Sequence, residues 1–215
     1  MLADVVSFSL VSLSAIFFVA DPIAAVPLFL AMTPDDTAAK RRQMALRASI
    51  ATWAILTAFA MAGAFIFRAL GITLGAFKVA GGILLLTTSF EMMRAQEART
   101  RVTRAEEQEG EEKEDVAIFP LAIPLLAGPG AIATVTTLVA QHKTNHLLYA
   151  IPVILSAGLT CFAAYWMLKG ATRISKVLGV TGLTVMNRLI GLIIGALAVQ
   201  FIFDGVKEAF PGLGT

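Results

Sequence analysis

The sequence predicts an all-α integral membrane protein with six transmembrane helices, arranged as two inverted three-helix repeats whose first and fourth helices are discontinuous. Of its 215 residues, 57% are hydrophobic and only 15% are charged, whereas about a quarter of the residues in soluble domains carry a charge. The apolar runs are roughly 20 residues long, which is enough to cross a bilayer. They lack the polar face that a helix of a soluble bundle needs. Prolines interrupt two of these runs, and the two halves of the chain share the same order of features.

The apolar runs define six predicted spans. The first is expected to be retained rather than cleaved as a signal peptide, because no Lys or Arg precedes it and no small-residue cleavage site follows it. The spans are Val5–Met32, Leu46–Phe67, Ile72–Met93, Ile118–Ala140, Leu147–Leu168 and Leu183–Val206.

The basic residues predict the orientation. Twelve fall in the connections after spans one, three and five, and three fall on the other side: Arg68, Lys143 and Lys207. Because basic residues stay on the cytoplasmic side, both termini are expected outside. The twelve are Lys40, Arg41, Arg42, Arg47, Arg94, Arg99, Arg101, Arg104, Lys113, Lys169, Arg173 and Lys176.

Residues 94–117 form the only long hydrophilic segment, and seven acidic residues are concentrated between Glu106 and Asp115. Dense like charge is typical of a solvated linker, and a regulatory or partner-binding segment is the alternative. This cytoplasmic linker divides one transmembrane domain, 1–215, into a first repeat, 1–93, and a second repeat, 118–215.

The first span contains D-P-I-A-A-V-P at residues 21–27. Asp21 followed by Pro22 is a helix-start signal, with Asp as the N-cap and proline at the first helical position. We therefore expect one half-helix to end near Val19–Ala20 and another to begin at Pro22 and include Ala24 and Pro27. The alternative is a proline kink alone. Three roles are open for Asp21: it could cap the half-helix, pair with a buried cation, or bind a coupling ion.

The fourth span contains a second interruption at Gly128, Pro129 and Gly130. Glycine allows the backbone to turn and a ligand to approach closely, and Pro129 suits the start of a second half-helix. The N-terminus of such a half-helix presents N–H groups and a partial positive charge, which favour an anion. A carboxylate bound there would lie near Ala131 and Thr134.

The two halves match in a second feature. Lys78 lies three residues before Gly81, and Arg188 lies three residues before Gly191. Three spans per half is an odd number, so the second half enters from the opposite face and the repeat is inverted. Both cations are predicted to face the interior, with Asn187 as a further polar group. Snorkelling of both to the surface is the alternative.

No enzyme is expected, because the spans contain no Ser–His pairing, no glycine-rich phosphate motif and no metal-ligand spacing. The sequence likewise implies no cofactor, metal or nucleic acid, and it leaves the oligomeric state open.

Four stretches carry a family resemblance: F-V-A-D-P-I-A-A-V-P-L-F-L, F-K-V-A-G-G-I-L-L-L, P-L-A-I-P-L-L-A-G-P-G-A-I-A-T and N-R-L-I-G-L-I-I-G-A-L-A-V-Q-F-I-F-D-G. Together they resemble the MarC family of bacterial and archaeal integral membrane proteins, which includes SnatA-type small neutral amino acid transporters. The resemblance implies an inner (plasma) membrane location and, for some members, movement of glycine, alanine, serine or threonine. Pro124 and Pro129 in the fourth span are five residues apart, as are Pro22 and Pro27 in the first. This second proline pair lacks an acidic equivalent of Asp21, so the halves are not expected to do identical work.

The expected function is secondary transport of small neutral amino acids, coupled to a proton or sodium. The carboxylate would bind half-helix N–H groups with help from Lys78 or Arg188, and the ammonium would meet Asp21 or freed carbonyls. Two alternatives stay open. One is a transporter or flippase for a drug or lipid phosphate, and the other is a non-transporting membrane scaffold.

Overall fold

The computed structural model describes residues 2–33, 36–94, 117–141 and 146–210, and all regular secondary structure in these ranges is helical. The predicted acidic linker falls at 95–116, outside the described residues. The helices are α1 (Leu2–Ala20), α2 (Ala25–Ala31), α3 (Ala38–Leu70), α4 (Leu74–Met93), α5 (Ala117–Leu126), α6 (Pro129–Ala140), α7 (His146–Lys169) and α8 (Ala171–Ala209).

Four helices of the described chain are long and apolar enough to cross a membrane. Their apolar stretches are Ala38–Gly63, Leu74–Met93, Leu148–Lys169 and Thr181–Ala209. The shorter apolar helices Asp4–Ala20 and Pro129–Ala140 belong to the two predicted spans that the structure interrupts. The prediction of an all-helical membrane protein is therefore confirmed over the described residues.

Two helices extend beyond their predicted spans. α3 begins at Ala38 rather than Leu46, and its first turns carry the basic residues Lys40, Arg41 and Arg42. α8 begins at Ala171 rather than Leu183 and bends at Gly179, whose φ of 62° is left-handed. Glycine adopts that conformation without steric cost, so the bend separates a short basic helical segment from the long apolar one.

The described helices bury two apolar clusters. A smaller one lies between α2, α3, α5 and α7, and the larger one lies between α1, α3, α4, α6, α7 and α8. Its fully buried members include Ile16, Leu56, Val135, Val153 and Ile194. The most extensive pairings are α4 with α8 and α3 with α7, and α1 packs on α7 while α3 packs on α5 and α6. Large apolar side chains also cover much of the outer surface, as on α7, which is the pattern of helices that face lipid.

Glycines bring α4 and α8 into backbone contact. A Cβ added at Gly75 would lie 2.8 Å from the carbonyl oxygen of Gly205, and one added at Gly82 would lie 2.8 Å from that of Ala198. At the other end of the pair, the Ser89 hydroxyl donates to the carbonyl oxygen of Gly191 at 2.7 Å. Close approach through small residues and interhelical hydrogen bonds stabilises helix pairs in membranes.

The α4–α8 contact predicts a large effect for Gly205→Ala. The new Cβ would lie 2.6 Å from the carbonyl oxygen of Gly75 and 2.8 Å from Val79 Cγ2, so the helices would have to separate at a cost of about 1–3 kcal/mol. Thermal unfolding in detergent should therefore shift downwards. Gly182→Ala is the matched control on the same helix, because its Cβ would first meet the side chain of Leu178 within α8. Equal unfolding temperatures for the two variants would contradict this packing.

Candidate functional site

The first helix break is centred on Asp21, which is 1% exposed. Its φ of 47° is the only left-handed value among the described non-glycine residues, and Asp tolerates this region better than most residues. Its Oδ1 accepts a hydrogen bond from the Ala24 N–H at 3.2 Å. α1 ends at Ala20, as predicted. The carboxylate thus holds a tight turn in the apolar interior.

The restart after this break differs from the prediction. Residues 22–24 form a turn, and α2 begins at Ala25 rather than Pro22. The Val26 N–H donates to the carbonyl oxygen of Ile23 at 3.1 Å, a three-residue spacing that is tighter than α-helix. The predicted capping hydrogen bond forms, but the backbone of Asp21 is left-handed rather than in the extended conformation usual for an N-cap.

The second break follows the prediction more closely. α5 is a π-helix that ends with the Ala127 N–H donating to the carbonyl oxygen of Ala122 at 2.8 Å. Prolines at 120 and 124 lack the N–H groups that would hold an α-helix there, which explains the wider spacing. Gly128 is extended, with ψ of 171°, and α6 begins at Pro129. The predicted half-helix start at Pro129 is confirmed.

The matched spacing of the proline pairs proves misleading. The first break directly precedes Pro22, and Pro27 lies inside α2. The second break directly precedes Pro129, and Pro124 lies before it within α5. The proline that directly follows the break is thus Pro22 in the first span and Pro129 in the fourth, and the two other prolines lie on opposite sides of their breaks.

The two breaks meet in the core. A Cβ added at Gly130 would lie 2.6 Å from Leu85 Cδ2 and 3.4 Å from Val19 Cγ1, so the last turn of α1 touches the first turn of α6. A hollow of about 20 Å³ lies at this junction, which is room for about one water molecule. Its lining residues are Val19, Leu84, Leu85, Thr88, Gly128, Pro129, Gly130 and Ala131.

Backbone donors give the hollow its chemistry. The first N–H groups of an α-helix have no acceptor within the helix, and those of Gly130 and Ala131 belong to the first turn of α6, beside the hollow. The hydroxyl of Thr88 is also present, and it donates to the carbonyl oxygen of Leu84 at 3.1 Å. Because the Thr88 proton is already donated, the helix N–H groups are the donors that favour a small anionic or hydrogen-bond-accepting group here.

Four of the predicted site residues line the hollow, namely Gly128, Pro129, Gly130 and Ala131. Thr134 is one turn further along α6, and its hydroxyl donates to the carbonyl oxygen of Gly130 at 2.8 Å, so it supports the first turn. The predicted site residues outside the lining are Asp21, Pro22, Ala24, Pro27, Lys78, Thr134, Asn187 and Arg188.

The α4 side of the hollow was largely missed by sequence reasoning. Thr88 is a hydroxyl within a span and offered a weak signal. Leu84 and Leu85 are ordinary apolar residues of α4, and only the fold places them opposite Gly130. Val19 was identified only as the end of a half-helix.

Lys78 lies away from the hollow and has another role. Its side chain is 9% exposed, and its Nζ lies 3.0 Å from Oε2 of Glu208 on α8. The partner of Lys78 is therefore Glu208 rather than Asp21, the pairing considered from the sequence. Glu208 falls just beyond the predicted sixth span, so the sequence pattern did not suggest it as the partner.

Asn187 and Arg188 lie near the opposite end of the α4–α8 pair. A Cβ added at nearby Gly191 would lie 2.9 Å from Met92 Cβ, at the C-terminal end of α4. Arg188 is exposed, in keeping with the surface alternative. The Asn187 Oδ1 is buried and accepts no hydrogen bond from the described residues.

The comparison with known families decides what kind of protein carries these breaks. A model of the MarC family integral membrane proteins matches residues 6–210. The chain belongs to this family. It is 36% identical over 204 residues to a UPF0056 membrane protein of Methanocaldococcus jannaschii, covering 94% of this chain and 97% of the relative. No solved structure matches the chain.

Further relatives of this MarC family member come from bacteria. The UPF0056 membrane protein YvbG of Bacillus subtilis is 36% identical, with 93% of this chain and 94% of the relative aligned. YhcE of Escherichia coli is 32% identical, with 92% of this chain and 91% of the relative aligned. The family model, which matches residues 6–210, includes both breaks and the hollow.

The Lys78–Glu208 pair predicts an asymmetric response to substitution in this MarC family chain. Glu208→Gln should destabilise the protein more than Lys78→Met, because the glutamine variant leaves a buried ammonium without its carboxylate. After Lys78→Met, Glu208 is 35% exposed and keeps contact with water. We expect a difference of about 1–2 kcal/mol, since breaking a fully buried pair costs about 3–5 kcal/mol. Thermal unfolding of the two single variants tests this, and the reverse order would contradict it.

Proposed function

We propose that the chain is a secondary transporter that moves small neutral amino acids, such as glycine, alanine, serine and threonine, across the inner membrane. The observation that carries this proposal is the meeting of two helix breaks at one hollow, where Val19 of α1 lies against Gly130 of α6. Interrupted helices within a membrane are tolerated where they are buried in protein or line a cavity, and secondary transporters bind substrates at such interruptions.

The packing supports an inverted repeat of six spans. In such a repeat, α1 and α2 correspond to α5 and α6, α3 corresponds to α7, and α4 corresponds to α8. The α3–α7 and α4–α8 pairs then map onto themselves, α1–α7 maps onto α5–α3, and α2–α8 maps onto α6–α4. All these pairs are in contact. With the positive-inside distribution, this arrangement would put both termini outside and the ends of α4 and α7 in the cytoplasm.

The hollow offers the proposed substrate a site for its carboxylate. The N–H groups at the start of α6 would bind the carboxylate, as helix N-termini bind anions. Asp21, two residues beyond Val19, would attract the ammonium group or carry the coupling proton or sodium. The hollow holds about one water molecule, so the substrate would enter when Val19 and Leu85 move away from Gly130. The tight lining favours small substrates.

Uptake into proteoliposomes tests the proposal. Protein reconstituted with an imposed proton or sodium gradient should accumulate labelled alanine saturably, and unlabelled glycine, serine and threonine should compete better than leucine or phenylalanine. Dissipating the coupling gradient should stop the accumulation. Translocation of a labelled lipid phosphate without amino acid flux would replace this function with that of a flippase. Absence of both activities in correctly inserted protein would favour a scaffold.

A further inference from the structure

The exposed faces of α3 and α7, which pack side by side, have the layout of a phospholipid site. On α3, Arg42, Leu46, Ile50 and Trp53 follow one another at spacings of four, four and three, and all are exposed. Such spacing puts side chains on one face of a helix. This α3 face begins with a guanidinium at the end of the bundle where α3 starts and continues as an apolar stripe.

The facing helix repeats this order from the same end. Lys169, Trp166, Phe162 and Leu159 lie at spacings of three, four and three along α7. Trp166 is 50% exposed and Phe162 is 61% exposed, and their rings make an edge contact at 6.2 Å. The Lys169 ammonium lies 4.1 Å from the centroid of the Trp166 ring, which holds the charge above the apolar stripe.

Direct hydrogen bonds join the two faces at both ends. The Arg42 Nε–H donates to the Tyr165 hydroxyl at 3.3 Å, next to Lys169. Further along, the Trp53 indole N–H donates to the carbonyl oxygen of Ile154 at 3.2 Å. These contacts hold the two exposed apolar stripes side by side, with two cations and a phenol at one end.

We infer that this α3–α7 surface binds an anionic phospholipid, with its phosphate between Arg42 and Lys169 and an acyl chain along the apolar stripes. Charge complementarity carries the inference, because the two cations lie at the head of an exposed apolar surface. Basic pockets between membrane helices bind anionic headgroups, and aromatic residues favour the level of the headgroups. The inference does not depend on the transport proposal, since this surface shares no residue with the lining of the hollow.

Native mass spectrometry of the detergent-purified full chain tests the inference. Phosphatidylglycerol should remain bound under conditions that remove phosphatidylcholine, and millimolar inorganic phosphate should not displace it. Arg42→Gln and Lys169→Gln should each weaken retention about fivefold, given about 1 kcal/mol per basic residue near an anionic lipid, and the double variant more.

Lys40→Gln is the matched control, because Lys40 lies at the same end and already pairs with Asp36 at 2.7 Å. It should leave lipid retention unchanged. Circular dichroism of all variants would establish that they are folded. Equal retention of phosphatidylglycerol and phosphatidylcholine, or unchanged retention in the folded double variant, would overturn the site.

Discussion

Gly130→Ala is expected to reduce alanine uptake by about five- to 150-fold while the protein stays folded. The new methyl group would lie 2.6 Å from Leu85 Cδ2, a flexible side-chain end that would turn into the hollow. Overpacking of this kind costs about 1–3 kcal/mol, which corresponds to that range in an equilibrium constant. In the proposed mechanism the cost falls on the substrate-bound form, because the substrate must occupy the same space.

Leu85→Ala provides the matched test of this reasoning. Leu85 is the nearest contact of the added methyl group, so Gly130→Ala combined with Leu85→Ala should recover part of the uptake. Leu85→Ala alone should also improve competition by larger amino acids, since it widens the hollow. If Gly130→Ala transports normally, or if the double variant is no better than Gly130→Ala, the hollow is not the substrate site.

Substitutions of Asp21 should separate its contribution to stability from its contribution to transport. Asp21→Ala removes the cap on the Ala24 N–H, at a cost of about 1 kcal/mol, and puts alanine at a φ of 47°, which costs roughly another 1 kcal/mol. Asp21→Asn keeps the cap and tolerates the left-handed backbone. We therefore expect the alanine variant to unfold roughly 4–8 °C lower for a total of about 2 kcal/mol, and the asparagine variant to unfold near the wild-type temperature.

Uptake should respond differently from stability. If the Asp21 carboxylate meets the substrate ammonium or the coupling cation, Asp21→Asn should lose uptake despite its normal unfolding temperature. Measurements of uptake and thermal unfolding on the same preparations make this comparison. Normal, gradient-dependent uptake by Asp21→Asn would reduce Asp21 to a structural cap and remove it from the transport mechanism.

Local chemistry made the helix breaks predictable. Asp-Pro and Gly-Pro-Gly are interruption signals whatever surrounds them, and the structure places breaks at both Asp21 and Gly128. The alignment of the two halves was not predictable from the prolines, because proline is tolerated both in the first turn of an α-helix and within a π-helix. Pro27 and Pro124 occupy those two different settings.

Tertiary packing decided what the sequence left open. Lys78 was a recognisable intramembrane cation, but its partner Glu208 is 130 residues away and is brought to it by the glycine contacts of α4 and α8. Leu85 likewise carries no chemical signal. It matters only because the fold sets it against a glycine at the start of α6.

Cysteine accessibility at Ala131 tests the central claim that the breaks enclose a substrate chamber. Cys161 is the only cysteine, so Cys161→Ala gives a background for single cysteines. Ala131→Cys lies in the hollow, and Leu192→Cys, at a position 62% exposed on α8, reports the outer apolar surface. We predict that a small water-soluble thiol reagent labels Ala131→Cys, that alanine slows this labelling, and that alanine has no effect on Leu192→Cys. Labelling of Ala131→Cys that is absent, or that alanine does not change, would contradict the account.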